Sequence, residues 1–376
     1  MTTAKKAAIA IIVIASVLLF VLLFSIMFYP FLKYSSILDF LYPTSLEFYD
    51  GEKIINASAC THKTAFVTES GAVYISGDVN EGLGIPESER KTYTHYGKYV
   101  KIFDKDAILV DLDYPGGVIL TANGEIYAFC EGIEKYSQPA LVSVEGIGKC
   151  IDVHSYGTQL IILTEDGDLY KYDLKSEEEP LIICENVISI SECTGDELVA
   201  VTEEGDILMY EKIKYSNSFV TFDVGACKTG ITACVDVGIP NHDRAMYAYI
   251  DGEGVANIIF RERGRTSINK IEGAVSLVAV TQGIAVMDSK GNVTFYEYIF
   301  VSDDISDGMT MTDGRVIATN AAKIAAGGYS RSLAVVTLDG ELLMFGDSKY
   351  GSWGDGYHRS HHVDFVDDVP YKVKAS

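Results

Sequence analysis

Seven copies of one short pattern recur along this 376-residue chain, and they constrain its fold more than any other feature. Each copy is an apolar strand, a polar turn ending in glycine, and a second apolar strand, most clearly in residues 64–77 and 333–346. A tight hairpin needs a positive φ at a central residue, which glycine adopts without strain. The seven turn glycines are Gly71, Gly124, Gly167, Gly205, Gly254, Gly291 and Gly340.

The spacing of these glycines predicts one four-stranded blade for each copy. The intervals average about 45 residues, a period typical of β-propellers. In the blurred fifth copy either Gly252 or Gly254 could end the turn, and Gly254 is preferred because it aligns Asp251 with the threonines of other copies. Seven unrelated hairpins in a β-sandwich would not explain the recurring Thr-x-x-Gly frame. We therefore predict an all-β, seven-bladed β-propeller whose ring is closed when the strand around residues 369–373 pairs with the first blade.

Copies one and seven continue into glycine-rich tails, residues 77–84 and 346–354, and small residues at 325–330 precede copy seven. These segments resemble the repeat of the regulator of chromosome condensation (RCC1-type) family. The resemblance covers roughly residues 51–376 and is specific in two repeats, since copies two to six lack the tail. It implies a seven-bladed propeller. It implies neither nucleotide exchange nor chromatin binding, because the family includes unrelated binding proteins.

An apolar run without charged residues spans residues 7–29, ahead of the predicted propeller. At a rise of about 1.5 Å per residue, such a helix crosses a hydrocarbon core of about 30 Å. The alternative is a cleaved signal peptide, but the run is longer than the usual apolar region and no small-x-small cleavage site follows it. The sequence therefore predicts one transmembrane signal anchor that binds the lipid bilayer through residues 7–29.

The charges beside this run set the expected orientation. Lys5 and Lys6 precede it, whereas Lys33 and then acidic residues follow, and basic residues favour the cytoplasmic side. We expect a single-pass protein of the cell membrane with a cytoplasmic amino terminus. Residues 46–48, which would lie in the stalk, could instead form a strand of the first blade. The predicted organisation is a cytoplasmic tail at 1–6, the anchor at 7–29, a stalk at 30–50, and an extracytoplasmic propeller at 51–376.

The charge balance bears on possible partners. The chain carries 30 basic and 53 acidic residues, for a net charge of −23. A strongly acidic protein without a basic stripe repels phosphate backbones, so nucleic-acid binding is not expected. The same charge favours basic partners or cations, although solubility is its usual cause.

Catalytic signatures are missing from the sequence. It contains no His-Glu-x-x-His, Gly-x-Ser-x-Gly, phosphate-loop or dinucleotide pattern, so neither an enzyme activity nor a cofactor is predicted. The His-rich segment 358–362 and the acidic segment 303–308 are metal candidates, but each is better explained as an exposed loop. Seven cysteines without a Cys-x-x-Cys pair suit buried strand positions better than disulfides or zinc.

Aromatic side chains give the best lead to a binding surface. Tyr350, Trp353 and Tyr357 fall together in the tail of the last blade. Trp353 stands where the family motif has leucine, so we expect it to be in the core. Tyrosine supplies rigid amphipathic contact area, and the predicted partner-binding residues are Tyr350, Tyr357 and His361.

The function that the sequence favours is a non-enzymatic binding module for a protein, peptide or glycan partner. Repeat architecture, abundant tyrosine and the missing catalytic patterns support it. The alternatives are a structural subunit of a membrane complex and a propeller lyase or glycosidase that acts on an envelope polymer. Fold alone does not choose among them.

Overall fold

The computed structural model describes most of the chain beyond residue 43. The predicted anchor at 7–29 lies outside the described residues. Within them, no helix is both long and apolar enough to cross a membrane. The described residues are 44–60, 62–176, 178–192, 198–210, 220–222, 232–235, 244–262, 265–300, 309–326, 331–348, 352–354, 361–365 and 368–375.

The chain divides into two compact units. In the first, which comprises Met1–Leu46 and Ser88–Tyr96, the described part includes helix α1 (Arg90–Tyr96). The carboxylate of Glu89 accepts hydrogen bonds from Oγ1 of Thr44 at 2.9 Å and Oγ of Ser45 at 2.7 Å. The second unit comprises Glu47–Glu87 and Gly97–Ser376.

The second unit is a seven-bladed β-propeller, which confirms the predicted fold class. Each blade is an antiparallel sheet whose strands follow one another along the chain. Blade one contains β1 (Ile54–Cys60), β2 (Lys63–Thr68), β3 (Ala72–Gly77) and β4 (Val100–Asp104); blade two contains β5 (Ala107–Asp113), β6 (Gly116–Thr121), β7 (Ile126–Cys130) and β8 (Ala140–Leu141); blade three contains β9 (Cys150–Tyr156), β10 (Gln159–Thr164), β11 (Leu169–Asp173) and β12 (Leu181–Cys184).

The remaining blades keep the same order, and the sheets of blades six and seven have a fifth strand. Blade four contains β13 (Val187–Glu192), β14 (Leu198–Thr202), β15 (Ile207–Tyr210) and β16 (Val220–Phe222); blade five contains β17 (Thr232–Val235), β18 (Arg244–Ile250), β19 (Val255–Glu262) and β20 (Arg265–Glu272); blade six contains β21 (Ala274–Val280), β22 (Gly283–Asp288), β23 (Val293–Phe300), β24 (Met309–Met311) and β25 (Arg315–Ala318); blade seven contains β26 (Ala321–Ala325), β27 (Ser332–Thr337), β28 (Leu342–Ser348), β29 (His361–Val363) and β30 (Tyr371–Lys372).

The turn glycines adopt the conformation that the repeat predicts. All seven have φ between 76° and 87°. In each turn the glycine N–H donates to the carbonyl of the Thr or Asp three residues earlier, at 2.9–3.0 Å. Gly254 donates to Asp251 at 3.0 Å, so the assignment of the blurred fifth copy is confirmed. The blade number therefore follows from a local feature repeated seven times.

Apolar side chains fill the spaces between consecutive blades. β10 is buried along Leu160–Thr164, as expected for a strand with sheets on both sides. One core cluster joins Val118 and Leu120 of blade two to Val153 and Ile162 of blade three. Blade stacking thus supplies the core that a single blade lacks.

A buried lysine reinforces the contact between blades one and two. The side chain of Lys63 is fully buried, and its Nζ donates to the carbonyls of Gly116 at 2.6 Å and Glu81 at 2.8 Å. Burial lowers its pKa. The nearby thiols of Cys60 and Cys130 are buried and unpaired, which agrees with the prediction of strand cysteines rather than disulfides.

The ring closes by packing, and the predicted closure by strand exchange is wrong. The carboxyl-terminal strand β30 pairs with β28 of blade seven, with Met344 opposite Tyr371. Blade one has no place for it, because β4 already covers the edge of β3. The innermost strands β1, β5, β9, β13, β17, β21 and β26 each contact the next, and β26 contacts β1. Apolar side chains of blades one and seven share one core cluster.

Blade one gains a further segment on its outer edge. The main-chain carbonyl of Glu47 accepts a hydrogen bond from the N–H of Lys101 at 2.7 Å, and the N–H of Tyr49 donates to the carbonyl of Tyr99 at 3.0 Å. Phe48 forms a bridge with Val100. The chain itself therefore extends this blade beyond β4, within the segment that the sequence assigns to a stalk.

Candidate functional site

The predicted partner-binding surface of Tyr350, Tyr357 and His361 stays a prediction, because His361 is the one member of the three that the structure describes. Tyr350 and Tyr357 lie outside the described residues, as do residues 303–308. His361 begins β29, where it stands opposite Ser348 of β28. Trp353 is completely buried and its ring stacks on Tyr371 with centroids 5.7 Å apart, which confirms its predicted core position.

A cleft of about 680 Å³ lies between blades two and three. One wall is the connection from β8 to β9, and the other is formed by β11 and the residues just before β12. Its volume falls within the range of about 300–1,000 Å³ that small-molecule and cofactor sites occupy. The described lining residues are Ser143, Val144, Glu145, Gly146, Tyr170, Tyr172, Glu178, Glu179 and Pro180.

Strand alternation explains why two tyrosines face this cleft. Tyr170 and Tyr172 are two residues apart on β11, so their side chains share one face, and Lys171 lies on the other. Tyr172 is buried in the core between the two blades, and Tyr170 packs against that core while staying half-buried. Burial and then the neighbouring carboxylate of Asp168 raise the pKa of Tyr170. The cleft therefore presents a neutral, partly accessible tyrosine.

The rim of the cleft is acidic. Glu145 stands on the blade-two side, and Glu178 and Glu179 stand on the blade-three side. All three are exposed, and none of the described lining residues is basic. The electrostatic potential of this cleft therefore favours a positively charged ligand.

Three polar side chains lie in the central channel, at equivalent positions of the innermost strands. In each of these blades, the polar residue pairs with the residue that is six positions before the turn glycine. The three residues are Ser58, Asp111 and His154. Oγ of Ser58 accepts from the N–H of Leu112 at 3.1 Å, and Oδ2 of Asp111 accepts from the N–H of Ser155 at 2.9 Å. These side chains thus satisfy inner-edge N–H groups of the next blade.

His154 forms an ion pair in this channel. Its Nδ1 is 3.5 Å from Oδ2 of Asp111, and the two side chains are 16% and 8% exposed. Burial disfavours the imidazolium, but the carboxylates of Asp111 and Asp152 outweigh this effect and raise the pKa of His154 to about 8. Lys323 occupies the position on the innermost strand of blade seven that Asp152 occupies in blade three, two residues along the strand from the position of His154. Burial lowers the pKa of Lys323.

The channel charges compensate one another. Two bases, His154 and Lys323, face two acids, Asp111 and Asp152. Among the described residues, no group of three or more His, Cys, Asp or Glu side chains is placed to hold a metal ion. We therefore interpret the channel as a structural ion network and the cleft as the better candidate for a ligand.

The sequence contained a usable signal for the cleft. Tyr-Lys-Tyr at 170–172 and the Glu-Glu-Glu-Pro run at 177–180 flank one loop of the third repeat. The contribution of Glu145 could not be read from the sequence, because it comes from another blade.

Comparisons with known proteins agree with the fold. No protein-family model and no curated protein matches the chain. Similar solved structures include a chain of the mitotic checkpoint complex (TM-score 0.51, 13% identity, 82% of this chain and 93% of that chain). YCF48 bound to D1 peptide has a TM-score of 0.47 with 12% identity over 80% of this chain and 94% of that chain. Prp20p, the RCC1 of Saccharomyces cerevisiae, has a TM-score of 0.45 with 13% identity over 85% of this chain and 77% of that chain. At these identities the likeness concerns the fold alone.

Proposed function

We propose that this protein is a membrane-anchored, non-enzymatic binding protein whose propeller holds a protein or peptide partner. The observation that carries the proposal is the cleft between blades two and three, with Tyr170 on its floor and glutamates on its rim. Tyrosine is enriched at protein interfaces because a rigid apolar ring carries a polar tip. The cleft combines such a ring with charges that orient a ligand.

A peptide suits this cleft better than a glycan. Sugar rings stack on exposed aromatic faces, but Tyr172 is only 5% exposed and Tyr170 is half covered by the core. Side chains of a peptide could instead enter the cleft while the peptide backbone stays on the rim. Protein and peptide partners therefore take precedence in the proposal.

The membrane part of the proposal rests on the apolar run at residues 7–29 and on Lys5 and Lys6 before it. It assigns the propeller to the extracytoplasmic side. Protease added to intact cells should then digest the propeller while a cytoplasmic marker survives. Protection of the propeller until the cells are lysed would contradict this orientation.

The binding proposal is tested with a random peptide library displayed on phage, selected against the full-length protein in detergent micelles. Selected peptides should lose about tenfold in affinity with the Tyr170→Ala variant. The matched control is Tyr296→Ala, which removes another half-buried tyrosine from a third strand, in blade six. Failure to select any peptide, or equal binding by both variants, would reject the cleft as a peptide site.

A further inference from the structure

We infer that the partner is a basic, extended peptide that pairs with the outer edge of β12, an inference that rests on the proposed function. It would add a fifth strand to blade three and direct a lysine or arginine side chain into the acidic cleft. Hydrogen bonds between backbones would supply affinity, and side-chain pockets would supply specificity, as in other cases of strand addition. Four observations on this part of the molecule lead to the inference.

The first observation is that β12 has an open edge. Within the described residues, β12 pairs with β11 and with no other strand. An outermost strand presents unpaired N–H and C=O groups along its free side, which makes it a template for another strand.

The second observation is that β12 carries none of the charged side chains that protect many strand edges. Charged side chains commonly blunt exposed strands, and the outer strands β4, β20 and β25 all carry them. β12 reads Leu-Ile-Ile-Cys, and it alone among the described outer strands of four or more residues has no charge. Leu181 and Ile182 are 44% and 43% exposed, so apolar surface accompanies the open edge.

The third observation is that blade one already shows this mode of pairing. Residues 47–49 run along the outer edge of β4 through the hydrogen bonds of Lys101 and Tyr99 described above. In the part of the chain that the structure describes, no segment pairs with the corresponding edge in blade three. The propeller geometry therefore accommodates a strand beyond the fourth.

The fourth observation is that the strand register and the nearby glutamates would direct a basic side chain of the added strand toward the cleft. Ile182 stands opposite Tyr170, whereas Leu181 stands opposite Lys171, so Ile182 shares the face of β11 that lines the cleft. A peptide strand beside β12 would point alternate side chains toward this face. Glu178 and Glu179 lie three and two residues before the start of β12, where they would meet a basic side chain of the added peptide strand.

The test uses the full-length protein in detergent micelles and a capped octapeptide of alternating lysine and valine as the probe. Binding is measured by fluorescence anisotropy at low and high salt. Two further probes are the alternating glutamate–valine peptide and lysine–valine peptides that are N-methylated at every second residue, in both registers. N-methylation removes the donors on one edge of a strand without changing its charge.

We expect the lysine–valine peptide to bind and the glutamate–valine peptide not to bind. Salt and the double variant Glu178→Gln, Glu179→Gln should each weaken binding about tenfold. One N-methylation register should abolish binding, and the other should be tolerated. Bound peptide should also slow amide hydrogen exchange in β12, which a purely electrostatic complex would not do.

Variants at the strand edge provide the decisive comparison. Ile182→Lys introduces a protective charge on β12 and should abolish binding of the lysine–valine peptide. The matched control is Ile268→Lys on the outer strand β20, where the side chain is 56% exposed, and it should bind like the parent. Both positions are on the surface, so the fluorescence of the buried Trp353 should report an unchanged fold.

The outcomes separate this inference from the proposed function. If library peptides bind through Tyr170 but the lysine–valine peptide does not, the inference is overturned and the binding function stands. Equal binding of both N-methylated registers, or of Ile182→Lys, would also overturn strand addition. If no peptide of any kind binds, the proposed function fails as well.

Discussion

Replacing His154 by asparagine should remove a pH-dependent contribution to the stability of the propeller. In the folded protein the imidazole lies 3.5 Å from Asp111 in the central channel, with Asp152 and Lys323 as its other charged neighbours. The two carboxylates favour the imidazolium. The folded protein therefore holds the His154 proton more tightly than the unfolded chain does.

The magnitude and sign follow from proton linkage. The pKa of His154 rises from 6.5 to about 8 on folding, and each pKa unit corresponds to about 1.4 kcal/mol, so the contribution is about 2 kcal/mol. It is fully present below pH 6.5, where both states are protonated. It is lost as the pH rises through 8, because the folded protein must then release the proton.

Urea unfolding of the full-length protein between pH 6 and pH 9 would measure this contribution. Trp353 is the single tryptophan and is buried, so its fluorescence reports the propeller alone. The parent should lose about 2 kcal/mol more of its unfolding free energy over this range than His154→Asn. Asp111→Asn keeps the acceptor for the Ser155 N–H but removes the charge, and it should flatten the profile similarly.

The exposed Asp166→Asn variant is the control, since it removes a carboxylate away from the channel. Its profile should run parallel to that of the parent. If the profile of His154→Asn also ran parallel to the parent, the channel ion pair would not stabilise the charged imidazole in solution, and the reasoning would be refuted.

Two further predictions concern the core and the turns. Trp353→Ala should lower the unfolding free energy by about 3–5 kcal/mol, because it empties a buried site against Tyr371. Unfolding would be followed by circular dichroism. A loss below about 1 kcal/mol would show that the site is not tightly packed. Gly71→Ala should destabilise more than Gly254→Ala in thermal melts. Both glycines have positive φ, but a Cβ at Gly71 would lie 2.5 Å from the backbone of Asp106, whereas at Gly254 its nearest neighbour is 3.5 Å away. Equal losses would mean that backbone strain alone decides the cost.

Much of the fold could be predicted from the sequence because its determinants are local. Each blade carries a turn in which a glycine with positive φ donates to a Thr or Asp carbonyl, and these preferences depend on neighbouring residues alone. Seven such turns at a blade-length period predict seven blades. The core position of Trp353 was predicted differently, from the resemblance of its segment to the family repeat, which has leucine at that place.

The sequence did not determine how the ring closes. The segment around Tyr371 has the character of a strand, and it does form one. Its partner is β28 of blade seven rather than a strand of blade one. An edge strand pairs wherever an edge is open, and which edges are open depends on all the other strands.

The candidate site was likewise decided by the tertiary structure. The cleft joins Glu145 of one blade to Tyr170 and Glu178 of the next, and the channel joins Asp111 to His154. Each residue type is visible in the sequence, but contacts between blades depend on how rigid sheets stack. The form of a blade and the number of blades can be read from the amino-acid sequence, because turn chemistry is local. Which acidic and aromatic side chains share a surface depends on packing between segments far apart in the chain, so it becomes visible only in the folded protein.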